Sequence, residues 1–305
     1  MSYIIDVYRG TVKCEKSFYN YLTYTTLFPQ IIAGPIVRYE TVDEELETKN
    51  ISLDNFSKGM KRFLRGLGKK VLIANNVGAL WNIIETGAYS EMSSILAWTG
   101  IIAFALQIYF DFSGYSDMAI GLANIFGMDF DENFNFPYIS KSITEFWRRW
   151  HITLGSWFRD YIYIPLGGNR KGFIKQIRNI AIVWFLTGAW HGASWNFILW
   201  GLYFGVILII EKVLLLKDYI IALFAGNNIP FVNNEGLYYF TTYLIIILIG
   251  IFLSIPVFSK VLNKLENSNK RIAAITTTMF YIGVLVLSTA SLVSDAFNPF
   301  LYFRF

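Results

Sequence analysis

Long apolar runs alternate with shorter polar connections along the 305 residues of this chain. The runs occupy 17–37, 71–86, 94–109, 180–216, 237–258 and 272–292. An α-helix needs about 20 predominantly apolar residues to cross the roughly 30 Å of hydrocarbon in a bilayer, and most of these runs approach or exceed that length. The pattern therefore predicts an all-α fold: a polytopic bundle of transmembrane helices that forms one domain over residues 1–305.

Two of the apolar runs are interrupted in ways that a straight spanning helix would not allow. Pro29, Gly34 and Pro35 fall within the first run, and the sequence GAWHGASWN breaks the run at 180–216. Irregular backbone at membrane depth is tolerated only where it is buried in protein or lines a cavity. We therefore expect re-entrant or broken helices at both places, with His191 at the second break and beside a cavity inside the membrane.

Basic residues gather in the connections at 58–70, 170–178 and 259–271. Cytoplasmic connections are rich in Lys and Arg, so the plainer interpretation of each cluster is the cytoplasmic end of a helix. For 58–70 the alternative is attraction of an acidic carrier or an anionic cofactor. The clusters at 170–178 and 259–271 can both be cytoplasmic only if the chain crosses the membrane an even number of times between them. One of these crossings is the span at 237–258, so the segment 179–217 must supply an odd number. This predicts one full span and one half-helix there.

Composition sets the class of protein and excludes several functions. Apolar residues make up 54% of the chain and charged residues 16%, against about 25% charged in an average soluble domain, which indicates a membrane protein. The net charge of +4 is concentrated in the helix-end clusters, so a nucleic-acid surface is not expected. Cys14 is the single cysteine and the two histidines lie 40 residues apart, so neither an internal disulfide nor a zinc site is expected.

The densest candidate chemistry lies between residues 144 and 196, where arginines and tryptophans surround both histidines. Placing ionisable groups at membrane depth costs free energy, so such groups are first interpreted as part of a functional site. His191 is either a general base toward a bound hydroxyl or a buried histidine bonded to a backbone carbonyl. His151, together with Arg148 and Arg149, either binds a carboxylate or phosphate or forms a polar network that holds a re-entrant helix in place.

Two carboxylates, Asp111 and Asp117, follow the apolar run at 94–109. Six residues apart, they fall on different faces of an ideal helix, so the paired carboxylates of a retaining glycosidase are not expected. The plainer interpretation is that each carboxylate caps a broken helix or pairs with an arginine.

Three runs of sequence resemble the membrane-bound O-acyltransferase family. They are QIYFDFSGYSDMAIG at 107–121, NFNFPYISKSITEFWRRWHITLGSWFRDYIYIPLGGNRKG at 133–172 and TGAWHGASWNFILWG at 187–201. They are most similar to the branch that contains alginate O-acetyltransferase and the D-alanyl transfer protein of teichoic acids. YIIDVYRG near the N-terminus and FPQIIAGPIVRY at 28–39 resemble the same branch, so the similarity covers essentially the whole chain.

This resemblance implies an integral membrane acyltransferase whose helices surround a central tunnel. By similarity, His191 corresponds to the near-invariant tunnel histidine of the family and His151 to the second histidine of the branch, so both are predicted to be catalytic. The stretch around His151 would line the cytoplasmic approach. The predicted substrate-binding residues are Arg148, Arg149, Trp147, Trp150, Asp111, Asp117, Trp190 and Asn196.

The activity that the resemblance implies is acetyl transfer to hydroxyls of an exported polysaccharide, as in alginate O-acetylation. The donor would be a cytoplasmic thioester, acetyl-CoA or an acyl-carrier protein, used as a co-substrate with no bound cofactor and no metal. The expected setting is the bacterial inner membrane and its lipid, crossed several times, with a periplasmic or extracellular acyltransferase as partner. Two alternatives stay open: D-alanyl transfer toward teichoic acid, and a polysaccharide transporter or scaffold without chemistry.

Relatives in this branch begin well upstream of the YIIDVYRG sequence. The chain opens with Asp6 and Arg9 close together and without the pattern of a secretory signal peptide. We therefore expect that N-terminal spans present in relatives are missing here. Some relatives also carry Asp after KKVLIA, where this chain has Asn75.

Overall fold

The structure is a computed structural model that describes residues 1–27, 34–48, 51–87, 92–192, 194–214, 234–254, 256, 260 and 270–294. Within these ranges the regular secondary structure is helical, and Phe134 and Trp150 form a lone antiparallel bridge. The predicted all-α fold is confirmed for this part of the chain. The break expected at Pro29 and most of the connections at 218–236 and 259–271 lie outside the described residues.

Twelve α-helices account for most of the described residues. They are α1 (Ser2–Arg9), α2 (Phe18–Thr26), α3 (Tyr39–Thr48), α4 (Leu53–Gly68), α5 (Asn75–Glu85), α6 (Ser94–Ile125), α7 (Ile143–Arg149), α8 (Ile152–Phe158), α9 (Phe173–His191), α10 (Trp195–Leu214), α11 (Asn234–Leu253) and α12 (Lys270–Ser294). π-helical turns at Lys69–Ala74 and Arg159–Tyr163 continue α4 and α8. Such wider turns are frequent at functional sites.

Two of the described helices are long and apolar enough to cross a membrane: α6, and residues Trp195–Lys212 of α10. Shorter apolar segments lie at Leu237–Ile251 in α11 and Thr277–Thr289 in α12. Length and composition therefore support the predicted spans in α6 and α10.

The centre of the bundle is a helical hairpin. One arm is α4, the π-helical turn and α5, and the other arm is α6, which runs in the opposite direction. The arms approach closely where Gly59 meets Gly121 and Gly66 meets Gly114. A Cβ atom on Gly114 would lie 2.8 Å from the carbonyl oxygen of Gly66, closer than side chains normally come. Glycine at these positions thus permits the two backbones to pack against each other.

Cations on the first arm of this hairpin face carboxylates on the second. Arg62 and Lys69 donate hydrogen bonds to Asp117 at 3.1 and 2.6 Å, and Lys70 pairs with Asp111. The side chains of Lys70 and Asp111 are only 8% and 4% exposed, and a charge buried to this extent is tolerated only when it is paired. The expected arginine partner of Asp117 is confirmed. Asp111 pairs with a lysine instead, and neither carboxylate caps a helix break, because α6 is continuous.

A second hairpin is formed by α9 and α10, and the chain reverses between His191 and Trp195. Close packing again involves glycine, since a Cβ atom on Gly201 would lie 2.9 Å from the Cα of Gly188. The predicted break at GAWHGASWN is therefore confirmed. Within 179–217 the described stretch that is long and apolar enough to span a membrane is Trp195–Lys212 of α10, and the half-helix stays a prediction.

The glycine contact in the first hairpin generates a stability prediction. We expect Gly114→Ala to lower the free energy of unfolding by about 1–3 kcal/mol, because its methyl group must displace the α4 backbone. The matched control is Gly283→Ala in α12, where a Cβ atom would meet nothing within 4 Å. The control should be neutral or stabilising by up to about 1 kcal/mol, since Ala favours a helix over Gly. Thermal unfolding of both variants in one detergent measures the difference, and equal melting temperatures would contradict the prediction.

Candidate active site

A cavity of about 1230 Å³ lies between α6, α7, α8, α9 and α10. Its wall is mainly apolar and aromatic. The charged and imidazole side chains on the wall are Asp111, Arg148, His151, Arg159 and His191. A concave, largely apolar site with a few converging polar groups is typical of small-molecule binding. The fold therefore brings the two histidines to one cavity, although 40 residues separate them in sequence.

His151 occupies a sharp turn between α7 and α8. Its φ angle is +45°, a left-handed conformation that is uncommon outside glycine. Two backbone hydrogen bonds hold the turn: Asn135 N–H donates to the Arg149 carbonyl and Ile152 N–H donates to the Asn133 carbonyl, both at 2.9 Å. The segment after α6 thus pairs with the chain on either side of His151 and fixes its backbone.

The His151 side chain is buried, and its Nδ1 atom lies 2.9 Å from Oδ1 of Asn133. The same oxygen accepts a hydrogen bond from the Thr153 hydroxyl at 3.0 Å, and the Asn133 amide nitrogen donates to Ser116 Oγ at 3.0 Å. Phe112 contacts the imidazole edge to face. Burial lowers the pKa of His151 and the neighbouring His191 adds to this effect, so the ring is neutral at pH 7.

His191 is the last residue of α9, and its imidazole is half-buried against aromatic rings. The centroid of Trp200 lies 5.0 Å away and that of Trp190 lies 4.9 Å away. No described residue forms a hydrogen bond with a ring nitrogen of His191, so the alternative of a histidine bonded to a backbone carbonyl finds no support in this part of the chain. A neutral imidazole in this setting can accept a proton from a group bound in the cavity.

Tryptophans form one side of the cavity wall. Trp147 packs against Trp184 with ring centroids 4.7 Å apart, and Trp200 packs against the same cluster. Trp184 and Trp200 were not among the residues predicted from sequence. A usable signal was present: on α9 the lining positions Ile180, Val183, Trp184, Thr187 and His191 recur at helical spacing and share one face.

The charged residues of the wall differ in their pairing. Asp111 is neutralised by Lys70. Arg159 forms two hydrogen bonds with Asp160, which lower the pKa of that carboxyl. Arg148 forms no ion pair with a described residue and is exposed at the cavity. Of the predicted substrate-binding residues, those on the wall are Arg148, Trp147, Trp150, Asp111 and Asn196.

Three predicted substrate-binding residues do not line the cavity. Arg149 donates to Glu145 Oε1 and to the Asn135 carbonyl, so its guanidinium is used to hold α7. Asp117 lies in the ion-pair cluster of the first hairpin. The indole of Trp190 is 46% exposed and contacts the histidines from outside the wall.

The position of Asp117 generates a second stability prediction. We expect Asp117→Asn to lower the free energy of unfolding by roughly 3 kcal/mol, because Arg62 and Lys69 lose a shared anion and all three side chains are less than a third exposed. The matched control is Asp129→Asn, whose partner Lys58 is 57% exposed, and its effect should stay below about 1 kcal/mol. Denaturation in detergent compares them, and an unchanged Asp117→Asn protein would contradict the structural role.

Comparison with known proteins identifies relatives of the sequence that builds this cavity. The model of the MBOAT, membrane-bound O-acyltransferase family matches residues 15–229. This range includes both histidines and every residue of the cavity wall.

Several individual proteins are similar over the same region. The chain is 47% identical over 214 residues to the "Probable alginate O-acetylase AlgI" of Azotobacter vinelandii, covering 70% of this chain and 42% of the relative. It is 42% identical to a peptidoglycan O-acetyltransferase of Helicobacter pylori, covering 64% and 37%. It is 31% identical to a teichoic acid D-alanyltransferase of Bacillus subtilis, covering 67% and 54%. The chain thus spans less than half the length of the first two relatives.

Proposed function

The chain belongs to the membrane-bound O-acyltransferase family, a family of membrane proteins, and from this premise we propose that it transfers acetyl groups to hydroxyls of an exported polysaccharide. The observation that carries the proposal is His191, an imidazole without a hydrogen-bond partner among the described residues, at the wall of an aromatic cavity. Relatives named as an alginate O-acetylase and a peptidoglycan O-acetyltransferase support this acceptor class.

In the proposed reaction His191 is the general base. A ring nitrogen removes the proton of the acceptor hydroxyl while the hydroxyl oxygen attacks the carbonyl carbon of the thioester. The new C–O bond forms, the C–S bond breaks, and the departing thiolate receives the proton from the imidazolium. General-base assistance of this kind contributes roughly 10²–10⁴-fold to a rate. The tryptophan wall supports the chemistry by excluding water, which would otherwise hydrolyse the thioester.

The donor in this proposal is acetyl-CoA or an acetylated carrier protein, used as a co-substrate. Both candidates attach the acyl group to a chain that contains phosphate. Arg148 supports a phosphate contact, since its guanidinium is exposed at the cavity and has no carboxylate partner in the described part of the chain. His151 lies on the same wall and supplies a second proton acceptor.

The proposed setting is the bacterial inner membrane, which the chain would cross several times. The acyl group would enter from the cytoplasm and leave on the outer side, to the polysaccharide directly or through a periplasmic or extracellular acyltransferase. Apolar helices such as α6 and α10 support contact with lipid.

Replacement of His191 by Gln tests the proposed reaction. We expect acetylation of the polymer to fall by about 10²–10⁴-fold with the amount of protein unchanged, because Gln retains polarity but is not a base at neutral pH. Acetyl ester per sugar, measured on polymer from the native cells beside an immunoblot, is the readout. Trp195→Phe is the control, since Trp195 is 75% exposed and absent from the cavity wall. Wild-type acetylation in the Gln variant would refute the role of His191.

Deletion of the gene separates the proposed function from its alternatives. We expect acetyl esters on the exported polymer to disappear, while D-alanyl esters and the amount of polymer stay constant. Mass spectrometry of the esters released by mild base measures both. Loss of D-alanyl esters instead would favour teichoic acid as the acceptor, as in the Bacillus relative by name. A large fall in the amount of exported polymer, with a normal ester content in the polymer that remains, would favour a transporter or scaffold.

A further inference from the structure

One buried side chain outside the cavity wall, Asn133, forms a hydrogen bond with His151. We propose that Asn133 is a positioning residue that holds the neutral His151 imidazole as the Nδ1–H tautomer, with Nε2 left as a proton acceptor. The inference rests on the proposed function only where it gives His151 the role of a proton acceptor in acetyl transfer. The hydrogen bonds themselves stand independently of any reaction.

The orientation of the Asn133 amide follows from its neighbours. Oδ1 lies 3.4 Å from the backbone N–H of Thr153, and a backbone N–H can only donate. The atom facing Thr153 and His151 must therefore be the amide oxygen rather than the amide nitrogen. Since an amide oxygen can only accept, Nδ1 of His151 must carry the proton in the 2.9 Å contact. A neutral ring then has an unprotonated Nε2.

The Asn133 side chain is itself held rigidly. It is 1% exposed, and its amide nitrogen donates to Ser116 of α6. The hydroxyl group of Thr153 in α8 donates a hydrogen bond to Oδ1 of Asn133 and accepts one from the backbone N–H of Ile36. The tautomer of His151 is thus determined by three parts of the chain that are distant in sequence, which leaves the amide little freedom to flip.

The neutrality of this partner matters for acid–base chemistry. A carboxylate in place of Asn133 would stabilise the imidazolium and raise the pKa of His151, whereas an amide orients the ring without favouring its charged form. The other charged or titratable groups that share the cavity with His151 are Asp111, Arg148, Arg159, Tyr163 and His191. Asp111 pairs with Lys70, and Arg159 pairs with Asp160, which also pairs with Arg38, so neither of these carboxylates is an unpaired anion that could raise the pKa of His151.

Nitrogen-15 NMR of the full chain in detergent tests the tautomer directly. The chain contains two histidines, so labelling histidine alone gives two imidazoles, and His191→Gln assigns them. We expect His151 to show a protonated Nδ1 and an unprotonated Nε2 at pH 7. Asn133→Ala should remove this preference, with both nitrogens moving toward averaged shifts. A protonated Nε2 in the wild type, or an unchanged spectrum in Asn133→Ala, would overturn the inference, whatever reaction the protein catalyses.

The pH profile of acetyl transfer tests the consequence. Asn133→Asp keeps an oxygen toward Nδ1 and preserves the tautomer but adds a charge. In this variant we expect the pH below which acetyl transfer is lost to rise by about one to three units. The proposed reaction requires neutral His151, and a carboxylate favours the imidazolium. Asn133→Ala should lose roughly 10–100-fold in rate without this shift, as for other residues that orient an imidazole.

The matched control is Asn179→Asp, which also places a carboxyl group at a fully buried asparagine but outside the cavity wall. Its pH profile should be that of the wild type. A folded Asn133→Asp protein with an unshifted profile would show that Asn133 is only structural. Unchanged activity in His151→Gln with the expected NMR result would instead refute the proposed role of His151 and leave the tautomer assignment intact.

Discussion

Pairing of buried charges is the constraint on which the bundle depends. An isolated charge in an apolar interior is too costly to persist, so α6 can bury Asp111 and Asp117 only where α4 and its π-helical extension supply cations. The glycines at the same interface let the backbones come close enough for these short contacts. Asp111 also lines the cavity, so the ion pair with Lys70 fixes part of the cavity wall as well as the packing of the hairpin.

The polar groups around the two histidines follow a different rule. The first hairpin is held by full charges, whereas His151 is hydrogen-bonded to the Asn133 amide, which two hydroxyl groups hold in place. Neutral partners orient an imidazole without stabilising its protonated form, which suits a group that has to accept a proton. The same protein therefore uses ion pairs to stabilise the first hairpin and a neutral amide to orient the imidazole of His151.

Sequence reasoning predicted the helical class, the break beside His191, and the convergence of chemistry on the stretch from 144 to 196. These features depend on local composition and on long shared motifs. Asn133 was not predicted, because its role depends on a backbone bridge between two segments that no periodicity reveals. Arg149 and Asp117 were predicted to bind substrate, and the structure pairs them with Glu145 and Arg62 instead. For Asp117 an arginine partner was the alternative already expected from the sequence, whereas the identity of either partner depends on packing that composition does not reveal.

The close contact of Gly188 with Gly201 has a consequence for which substrates can react. Helices that pack closely at glycine cannot slide past each other, so the position of the His191 imidazole at the end of α9 is fixed relative to α10. In the proposed reaction, a donor or acceptor must therefore bring its reactive atom to the fixed position of this imidazole on the cavity wall.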